Sequence, residues 1–447
     1  MPWSSRPYLV QSFLSRTKPV QVQADNLRRS PPTAVVERWH DQCLLVCMLV
    51  YKLVFKCVQM LRGRCAGSWQ RTLTKELSMS SIDRRTLLKL MGLIGATAAM
   101  PFSVARAADN PLVVGFIYVG ARDDFGYNQA HAEAAAIIKT LPNVVVIEEE
   151  NVPETVAVQK SMEAMIRQDG ATLIFPTSFG YFDPHVIKMA ERFPDVHFAH
   201  CGGLWTEGVH PTNAGSFFGY IDEGQYLNGV VAGFASKTKK LGFIAAKPVP
   251  QVLRNINAFT LGARSVDPEI TTTVIFTGDW SLPIKEAEAA NSLIDQSCDV
   301  LTCHVDGPKV IVETAEKRGA MTCGYHADQS ALAPKGYLTG AEWNWETPYR
   351  AHVAASQAGE PMINFLRGGL KEGFVKTSPY GPLVSDEAKA RADAVKAEML
   401  AGGYAIFRGP LKDNQGNEVI AAGTALGQTD VVLESMDYLV EGVRGQI

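Results

Sequence analysis

The sequence lacks the short motifs that mark the common catalytic sites. It has no G-x-S-x-G nucleophile elbow, no H-E-x-x-H zinc motif, and no glycine-rich loop with the spacing of a P-loop or of G-x-G-x-x-G. Without a P-loop motif, this chain is not expected to hydrolyse ATP itself. These absences argue against the best-marked enzyme classes, and we predict no catalytic residue, no metal and no cofactor.

Cysteine is scarce and unpatterned after residue 107. Four of the eight cysteines remain there, and no two of them have C-x-x-C spacing. Because no histidine-rich segment accompanies them, the usual zinc motifs are excluded. We expect unpaired core residues at Cys201, Cys298, Cys303 and Cys323. An oxidising compartment would permit disulfides, whose pairing the sequence does not fix.

No apolar run has the length and purity of a comfortable membrane span. The run over residues 43–60 is interrupted by Lys52 and Lys56. It belongs to residues 1–78, which carry 12 Lys/Arg against 4 Asp/Glu and show no turn-bounded strand pattern. Since Met79 stands where an initiator would, we predict that residues 1–78 are an upstream extension outside the functional protein. A genuine leader or anchor is the alternative.

Residues 79–107 have the composition of an export signal. Arg84-Arg85 supplies the basic part, the apolar stretch Leu87–Val104 follows, and Ala105-Arg106-Ala107 offers a small-residue cleavage site. The paired arginines resemble the twin-arginine motif, whose cargo crosses the inner membrane already folded. We predict a periplasmic protein cleaved near Ala107, without a lipid anchor because no cysteine stands at that site. A buried helix that begins with two arginines is the alternative.

Acidic residues dominate the remainder of the chain. Residues 1–107 hold 16 of the 43 basic and 5 of the 46 acidic residues, which leaves 27 and 41 after the cleavage site. Phosphate backbones and anionic membranes attract a basic face, not an acidic one. We therefore expect a freely soluble protein with no nucleic-acid partner. We also predict a monomer.

Apolar strand-like runs alternate with amphipathic helical segments after residue 111. The first series comprises residues 112–120, 127–141, 144–150, 154–170 and 171–178, and an equivalent series follows residue 222. Strands separated by helices of this length require right-handed crossovers. The fold class predicted is α/β, with two doubly wound parallel-sheet lobes. Near the C-terminus, Asn414-Gln415-Gly416 predicts the turn of a hairpin.

Aromatic and polar side chains collect where the predicted strands end. In open α/β sheets ligands bind beyond the carboxyl ends of the strands, so two facing lobes would place a ligand between them. The candidate ligand residues are Tyr118, Tyr127, Asn128, Phe179, Tyr181, Phe182, Trp280, Asp306, His326, Asp328 and Trp343. Rings stack on planar ligands, and carboxyl or amide groups read ring N–H groups. The set favours a flat, nitrogen-rich, uncharged heterocycle, with a sugar as the alternative.

Several of these motifs resemble the basic membrane protein family of ABC-transporter substrate-binding proteins. The resemblance covers residues 110–445 and rests on the segments FGYNQ, FGYIDEGQYLNGVVAG, INAFTLGAR, KEAEAANSLIDQSCDV, GYHADQS and GPLKDNQG. It implies a fold similar to the type I periplasmic binding proteins, a purine base or nucleoside as ligand, and an inner-membrane ABC permease as partner.

The resemblance also implies roles for individual residues. Tyr127 takes the place of a base-stacking phenylalanine, and Asn128 that of a polar ligand contact. His326 stands where the family usually has an aspartate that holds the ribose hydroxyls, and a histidine lacks that bidentate acceptor. Together with Trp280 and the W-N-W segment at 343–345, this departure favours a free base such as adenine.

A three-segment hinge follows from the same resemblance. We expect residues 108–221 and 346–374 to form the N-terminal lobe, and residues 222–345 and 375–447 to form the C-terminal lobe. The expected hinge segments are Tyr220–Glu223, Glu342–Trp345 and Phe374–Ser378. Ligand contact with both lobes would favour the closed form, which a permease would then recognise.

Two other functions remain open at this point. A nucleoside-cleaving hydrolase on the same scaffold would need a carboxylate cluster, for which Asp123-Asp124 is the candidate. A periplasmic sensor that presents a bound ligand to a receptor would have the same sequence features as a transport protein.

Overall fold

The structure is a computed structural model that describes residues 111–447. The predicted upstream extension (1–78) and export signal (79–107) lie outside the described residues. Within residues 111–447 no helix combines the length and apolar composition needed to cross a membrane.

Two sheets organise the described chain. In chain order the strands are β1 (Leu112–Ile117), β2 (Val144–Glu149), β3 (Leu173–Pro176), β4 (His197–Cys201), β5 (Ala214–Gly219), β6 (Lys240–Ala245), β7 (Thr271–Phe276), β8 (Val300–His304), β9 (Met321–His326), β10 (Tyr337–Trp343), β11 (Phe365–Gly368), β12 (Val375–Thr377), β13 (Leu411–Lys412), β14 (Glu418–Ile420) and β15 (Val443–Arg444). The first sheet has the order β11-β5-β4-β3-β1-β2 and is parallel throughout. The second has the order β12-β10-β9-β8-β6-β7-β15 and is parallel except for β12. The predicted hairpin is confirmed, because β13 pairs antiparallel with β14.

Helices connect successive parallel strands. They are α1 (Tyr127–Ile138), α2 (Val156–Arg167), α3 (Ile187–Arg192), α4 (Asp222–Ala235), α5 (Pro250–Arg264), α6 (Pro283–Asp295), α7 (Lys309–Arg318), α8 (Glu346–Gln357) and α9 (Asp386–Ala401). The predicted α/β fold with two parallel-sheet lobes is confirmed. Within the described part, the four cysteines at 201, 298, 303 and 323 are buried and unpaired, as predicted.

Local sequence explains where these elements begin and end. The hydroxyls of Thr155 and Ser385 accept hydrogen bonds from backbone N–H groups at the starts of α2 and α9, both at 3.2 Å. Helix α9 ends at Gly402, whose φ of 81° is readily accessible to glycine. In β1 the side chains of Val114 and Phe116 alternate onto the buried core face. These local features position the two sheets, and the cleft lies at the ends of their strands.

The chain passes between the two sheets three times. It leaves β5 for α4, leaves β10 for α8, and runs from β11 to β12 through residues 369–374. Hydrogen bonds tie these crossings together: the Leu370 N–H donates to Glu223 Oε2 at 2.6 Å, and Asn344 Nδ2 donates to the Gly373 carbonyl at 2.8 Å. The first two crossings coincide with the predicted hinge segments. The third shares only Phe374 with the predicted Phe374–Ser378, because Val375–Thr377 form β12.

Candidate functional site

A cleft lies where the strand ends of the two sheets face each other. It contains an outer cavity of about 180 Å³ and a narrower inner pocket of about 30 Å³. Both are bordered by Phe179, which follows β3, and by Phe218 in β5. From the second sheet, Trp280, His304 and Tyr325 border both spaces as well. The cleft thus occupies the position expected of a ligand site in open α/β sheets.

The structure brings six of the eleven predicted ligand residues together. They line the inner pocket and are Tyr127, Phe179, Trp280, Asp306, His326 and Trp343. Tyr127 is the first residue of α1, and Phe179 follows β3 in the same lobe. The other four lie at or shortly after the C-terminal ends of strands β7 to β10 of the second sheet. Both lobes therefore supply rings to one pocket.

Three predicted aromatic residues lie in the hydrophobic core instead, which corrects their assignment. Tyr118 is fully buried, and its hydroxyl donates to Glu148 Oε1 at 3.0 Å. Tyr181 is also fully buried and donates to the backbone carbonyl of Val152. Phe182 packs in the same core cluster as Tyr181. None of the three borders the inner pocket or the outer cavity.

Asn128 and Asp328 also serve the chain itself and do not border the cleft. Asn128 Nδ2 donates to Asp124 Oδ2 at 2.8 Å, and its Oδ1 accepts from the Gly120 N–H at 3.2 Å. Both ends of the amide are therefore used to shape the loop between β1 and α1. Asp328 is exposed and accepts from the Ser330 N–H at 2.8 Å, as in an Asx turn.

Sequence reasoning missed several residues of the cleft. In the inner pocket these are Ser178, Cys201, Phe218, Gln251, His304 and Tyr325. Successive side chains of a strand face opposite sides of the sheet. Phe217 of β5 is fully buried, so the same alternation places its neighbour Phe218 on the opposite face. The outer cavity adds residues from distant segments, including Arg254, Arg367, Leu433 and Glu434.

Two of the rings are placed to receive a ligand. Phe179 is 54% exposed and has no aromatic partner among the described residues. Trp280 is covered on one side by Lys247, whose Nζ lies 5.3 Å from the ring centroid and pairs with Asp279 at 2.7 Å. A cation over an indole ring is attracted by its quadrupole and helps to hold the ring in place. The rings of Phe179 and Trp280 thus border the same pocket from opposite lobes.

His326 forms a wall of the inner pocket with both ring nitrogens already engaged. Trp343 Nε1 donates to His326 Nδ1 at 2.7 Å, and His326 Nε2 lies 3.1 Å from the Val305 carbonyl. The tautomer protonated at Nε2 satisfies both contacts. Burial, followed by the neighbouring His304, holds the pKa of His326 well below its usual range, so the ring is neutral. Its φ of 76° places it in the left-handed region, which is uncommon for histidine and is concentrated at functional sites.

Asp306 and His304 bring polar groups to the inner pocket. Burial lowers the pKa of His304 to about 3, so this ring is neutral as well. Its Nδ1 accepts from Asn255 Nδ2 at 2.9 Å. The carboxyl group of Asp306 makes no hydrogen bond or ion pair with any described residue, although the side chain borders the pocket.

The outer cavity is mostly apolar but contains buried charge. Arg254 pairs with Asp222 at 2.9 Å, and both are almost fully buried at the first hinge crossing. Arg367 donates to the backbone carbonyls of Ser216 at 3.2 Å and Gly203 at 3.0 Å. These contacts anchor the cavity wall where the chain passes between lobes.

The two lobes touch beside the inner pocket. The Tyr127 N–H donates to the backbone carbonyl of Asp306 at 2.8 Å. Gln329 Nε2 donates to the Phe125 carbonyl at 2.7 Å, also from the second lobe to the first. The structure therefore has the lobes closed at this point.

Neither a metal centre nor a carboxylate cluster emerges from the described residues. No group of three or more His, Cys, Asp or Glu side chains within residues 111–447 is arranged to hold a metal ion. Asp123 is exposed. The Asp124 carboxylate accepts from the N–H groups of Gly126, Asn128 and Gln129 at 2.8 to 3.0 Å. The pair therefore organises the start of α1 and does not border the cleft.

Comparisons with known proteins agree with this architecture. The family model described as ABC transporter substrate-binding protein PnrA-like (Bmp) matches residues 112–403. A purine-binding protein of Brucella abortus (strain 2308) is 36% identical over 353 residues, which cover 78% of this chain and 98% of that protein. A Haloferax volcanii protein, provisionally named as an ABC transporter glucose-binding protein, is 32% identical over 335 residues, covering 74% of this chain and 80% of its own.

A solved structure supports the fold. The solute-binding protein of an ABC transporter system from Conexibacter woesei aligns with a TM-score of 0.56 at 23% identity, covering 66% of this chain and 97% of that one. Members of the family bind a small molecule and work with an ABC permease. The chain belongs to the Bmp family of PnrA-like ABC transporter substrate-binding proteins.

Proposed function

We propose that this protein binds a purine base in the cleft that comprises the inner pocket and the adjoining outer cavity, and delivers it to an inner-membrane permease. The observation that carries the proposal is the convergence of aromatic rings from both lobes on one pocket, beside the Asp306 carboxyl group, which has no hydrogen-bond or ion-pair partner within residues 111–447. A flat heterocycle gains stacking contacts from such rings and hydrogen bonds from the carboxyl group. The name of the Brucella abortus relative points to the same class of ligand.

A free base such as adenine is the preferred ligand. Both ring nitrogens of His326 are engaged within the protein, so this residue has no acceptor left for a ribose diol. A nucleoside is the second candidate, because the outer cavity adjoins the inner pocket and offers space beyond a bound base.

Transport would follow from closure of the lobes. A ligand that contacts rings of both lobes has higher affinity for the closed form and shifts the population towards it. The permease would recognise that form, and a separate ATPase would supply the energy. We place the protein in the periplasm, exported through the signal at 79–107, and propose that it acts as a monomer.

A sensor or a hydrolase would require different partners or chemistry. The hydrolase alternative loses its candidate cluster, since Asp124 shapes the loop before α1. A sensor shares every feature of the cleft and differs only in the protein that recognises the closed form.

Identification of the ligand tests the proposal. Protein purified without added ligand is denatured, and the released small molecules are analysed by mass spectrometry. We expect a purine base, and we expect calorimetry on the stripped protein to show tighter binding of adenine than of adenosine or glucose. Glucose binding without adenine binding would refute the proposal, and release of ribose from adenosine would establish a hydrolase instead.

A further inference from the structure

Helix α5 presents one polar face to the outer cavity. Arg254 and Asn255 follow Gln251 by three and four residues, so the three side chains share one side of the helix, and all three border the cavity. The guanidinium group of Arg254 is already engaged, because it pairs with Asp222 at 2.9 Å and donates to the Gln428 carbonyl at 3.1 Å. The polar groups that α5 leaves for a ligand are therefore uncharged carboxamides.

Asn255 is held in one orientation by two neighbours. Only 2% of this residue is exposed. Its Nδ2 donates to His304 Nδ1 and to the Tyr325 hydroxyl oxygen, both at 2.9 Å. An amide NH₂ group has two hydrogens and cannot accept, so these two contacts use its whole donor capacity. Since His304 and Tyr325 border both the outer cavity and the inner pocket, the amide of Asn255 lies beside the junction of the two spaces.

The Oδ1 atom of Asn255 has no partner in the protein. It accepts no hydrogen bond from any residue of the range 111–447, and it is not among the side-chain atoms that are both fully buried and unpartnered. Because Asn255 borders the outer cavity, its small exposed surface faces that space. Polar atoms that lose their contact with water in folded proteins are nearly always hydrogen-bonded. A ligand that closes off this cavity should therefore supply a donor to Oδ1.

The substituent at position 6 of a purine distinguishes the common bases in this respect. An amine at that position donates a hydrogen bond, whereas a carbonyl oxygen accepts one. Trp280 borders the same cavity of about 180 Å³ as Asn255, so a base stacked on the indole ring lies close to the amide. An acceptor there attracts the amine and repels the carbonyl oxygen.

Resting on the purine-binding proposal above, we propose that Asn255 Oδ1 accepts a hydrogen bond from the exocyclic amine of the base and thereby selects 6-aminopurines over 6-oxopurines. His304 and Tyr325 are positioning residues, because they bind the two amide hydrogens that would otherwise be free to face the ligand. The alternative is a reversed amide, in which Nδ2 faces the cavity and selects a 6-oxopurine.

Adenine and hypoxanthine test this proposal, because they have the same rings and carry an amine and a carbonyl oxygen, respectively, at position 6. In calorimetry at pH 7, the wild type should bind adenine at least about tenfold more tightly than hypoxanthine. In Asn255→Ala the two affinities should differ by about threefold or less. Tyr325→Phe removes one of the two acceptors that orient the amide and should also reduce the preference.

Asn257→Ala is the matched control. It removes another buried amide of α5, which donates to the Tyr438 carbonyl at 2.8 Å and borders neither space of the cleft. This variant should keep the wild-type preference for adenine even where its melting temperature falls, because a purely structural asparagine does not read the ligand.

A preference that stays at its wild-type size in Asn255→Ala would overturn the proposal, as would tighter binding of hypoxanthine by the wild type. The wild-type comparison requires no variant, so equal affinities for the two bases would overturn the proposal even if Asn255→Ala failed to fold. If the wild type binds neither base, the purine-binding proposal itself fails, which is a different outcome from binding both without preference.

Discussion

Gly126 lies at the contact through which the lobes close, and the Gly126→Ala variant should impair ligand binding without impairing folding. A Cβ atom built on Gly126 would lie 1.9 Å from the backbone oxygen of Asp306 and 2.5 Å from Pro308 Cδ. Carbon and oxygen atoms approach to about 3.3 Å even in their closest favourable contacts. The two loops would have to separate by about 1.4 Å, since a backbone oxygen cannot rotate away as a side chain can.

The cost can be worked out from the contacts that such a separation breaks. The Tyr127 N–H donates to the Asp306 carbonyl at 2.8 Å, and Gln329 Nε2 donates to the Phe125 carbonyl at 2.7 Å. Each hydrogen bond contributes about 1 kcal/mol. Losing both would destabilise the closed form by about 2 kcal/mol, which corresponds to roughly thirtyfold weaker binding of any ligand that requires closure.

Calorimetry with adenine and small-angle scattering with and without adenine check this expectation. Gly403→Ala is the matched control, because no atom lies within 4 Å of the position where its Cβ would be. Both variants should melt at the wild-type temperature when free of ligand. If Gly126→Ala bound adenine within threefold of the wild type and became as compact, the contact between Gly126 and Asp306 would not belong to the ligand-bound form.

Three further predictions concern the rings and the hinge. Trp280→Ala should weaken adenine binding by about 1–3 kcal/mol in calorimetry, as expected for loss of a stacked ring. Trp280→Phe keeps an aromatic ring and should retain most of the affinity. An unchanged Kd in the alanine variant would show that Trp280 does not contact the ligand. Tyr127→Phe keeps the ring and loses only the hydroxyl that donates to the Thr177 carbonyl at 2.5 Å, so its Kd for adenine should stay within about threefold of the wild type. Tyr127→Ala also loses the ring, and its affinity for adenine should fall at least tenfold. Burial raises the pKa of Glu223 from 4.5 to about 7, so its carboxyl group is protonated more readily in the folded chain. The contribution of Glu223 to the free energy of unfolding should therefore be greatest below about pH 4.5 and fall by about 3 kcal/mol as the pH rises to about 7. In chemical denaturation across this range, the difference in stability between the wild type and Glu223→Gln should change by that amount. A constant difference would assign the pH dependence to another group.

The alternation of strands and helices made the fold predictable, because each apolar run had the length and period of its element. The ligand residues were harder to predict, since proximity to a strand end does not say which way a side chain points. Val114, Phe116 and Tyr118 share one face of β1 and its extension, and all three are fully buried. The two-residue period of a strand, applied past its last residue, would have placed Tyr118 in the core.

The roles of other residues depend on contacts that form only when the chain folds. Asn128 resembles a ligand residue, yet its amide spans the gap between Asp124 and Gly120 in the folded loop. Arg367 reaches the outer cavity from β11, an edge strand more than 140 residues after the nearby Phe218. Arg367 and Phe218 become neighbours only after the chain has returned to the first sheet at its second crossing.

Leu433 and Glu434 form part of the wall of the outer cavity, whereas the match to the family model ends at residue 403. The residues that match the family model and some of the residues that line the outer cavity thus belong to different stretches of the chain. Substitutions at Leu433 or Glu434 would therefore change the wall of the outer cavity without changing a residue of either sheet or of the three crossings. Two relatives that agree throughout residues 112–403 would still differ in the outer cavity if they differed at these two positions.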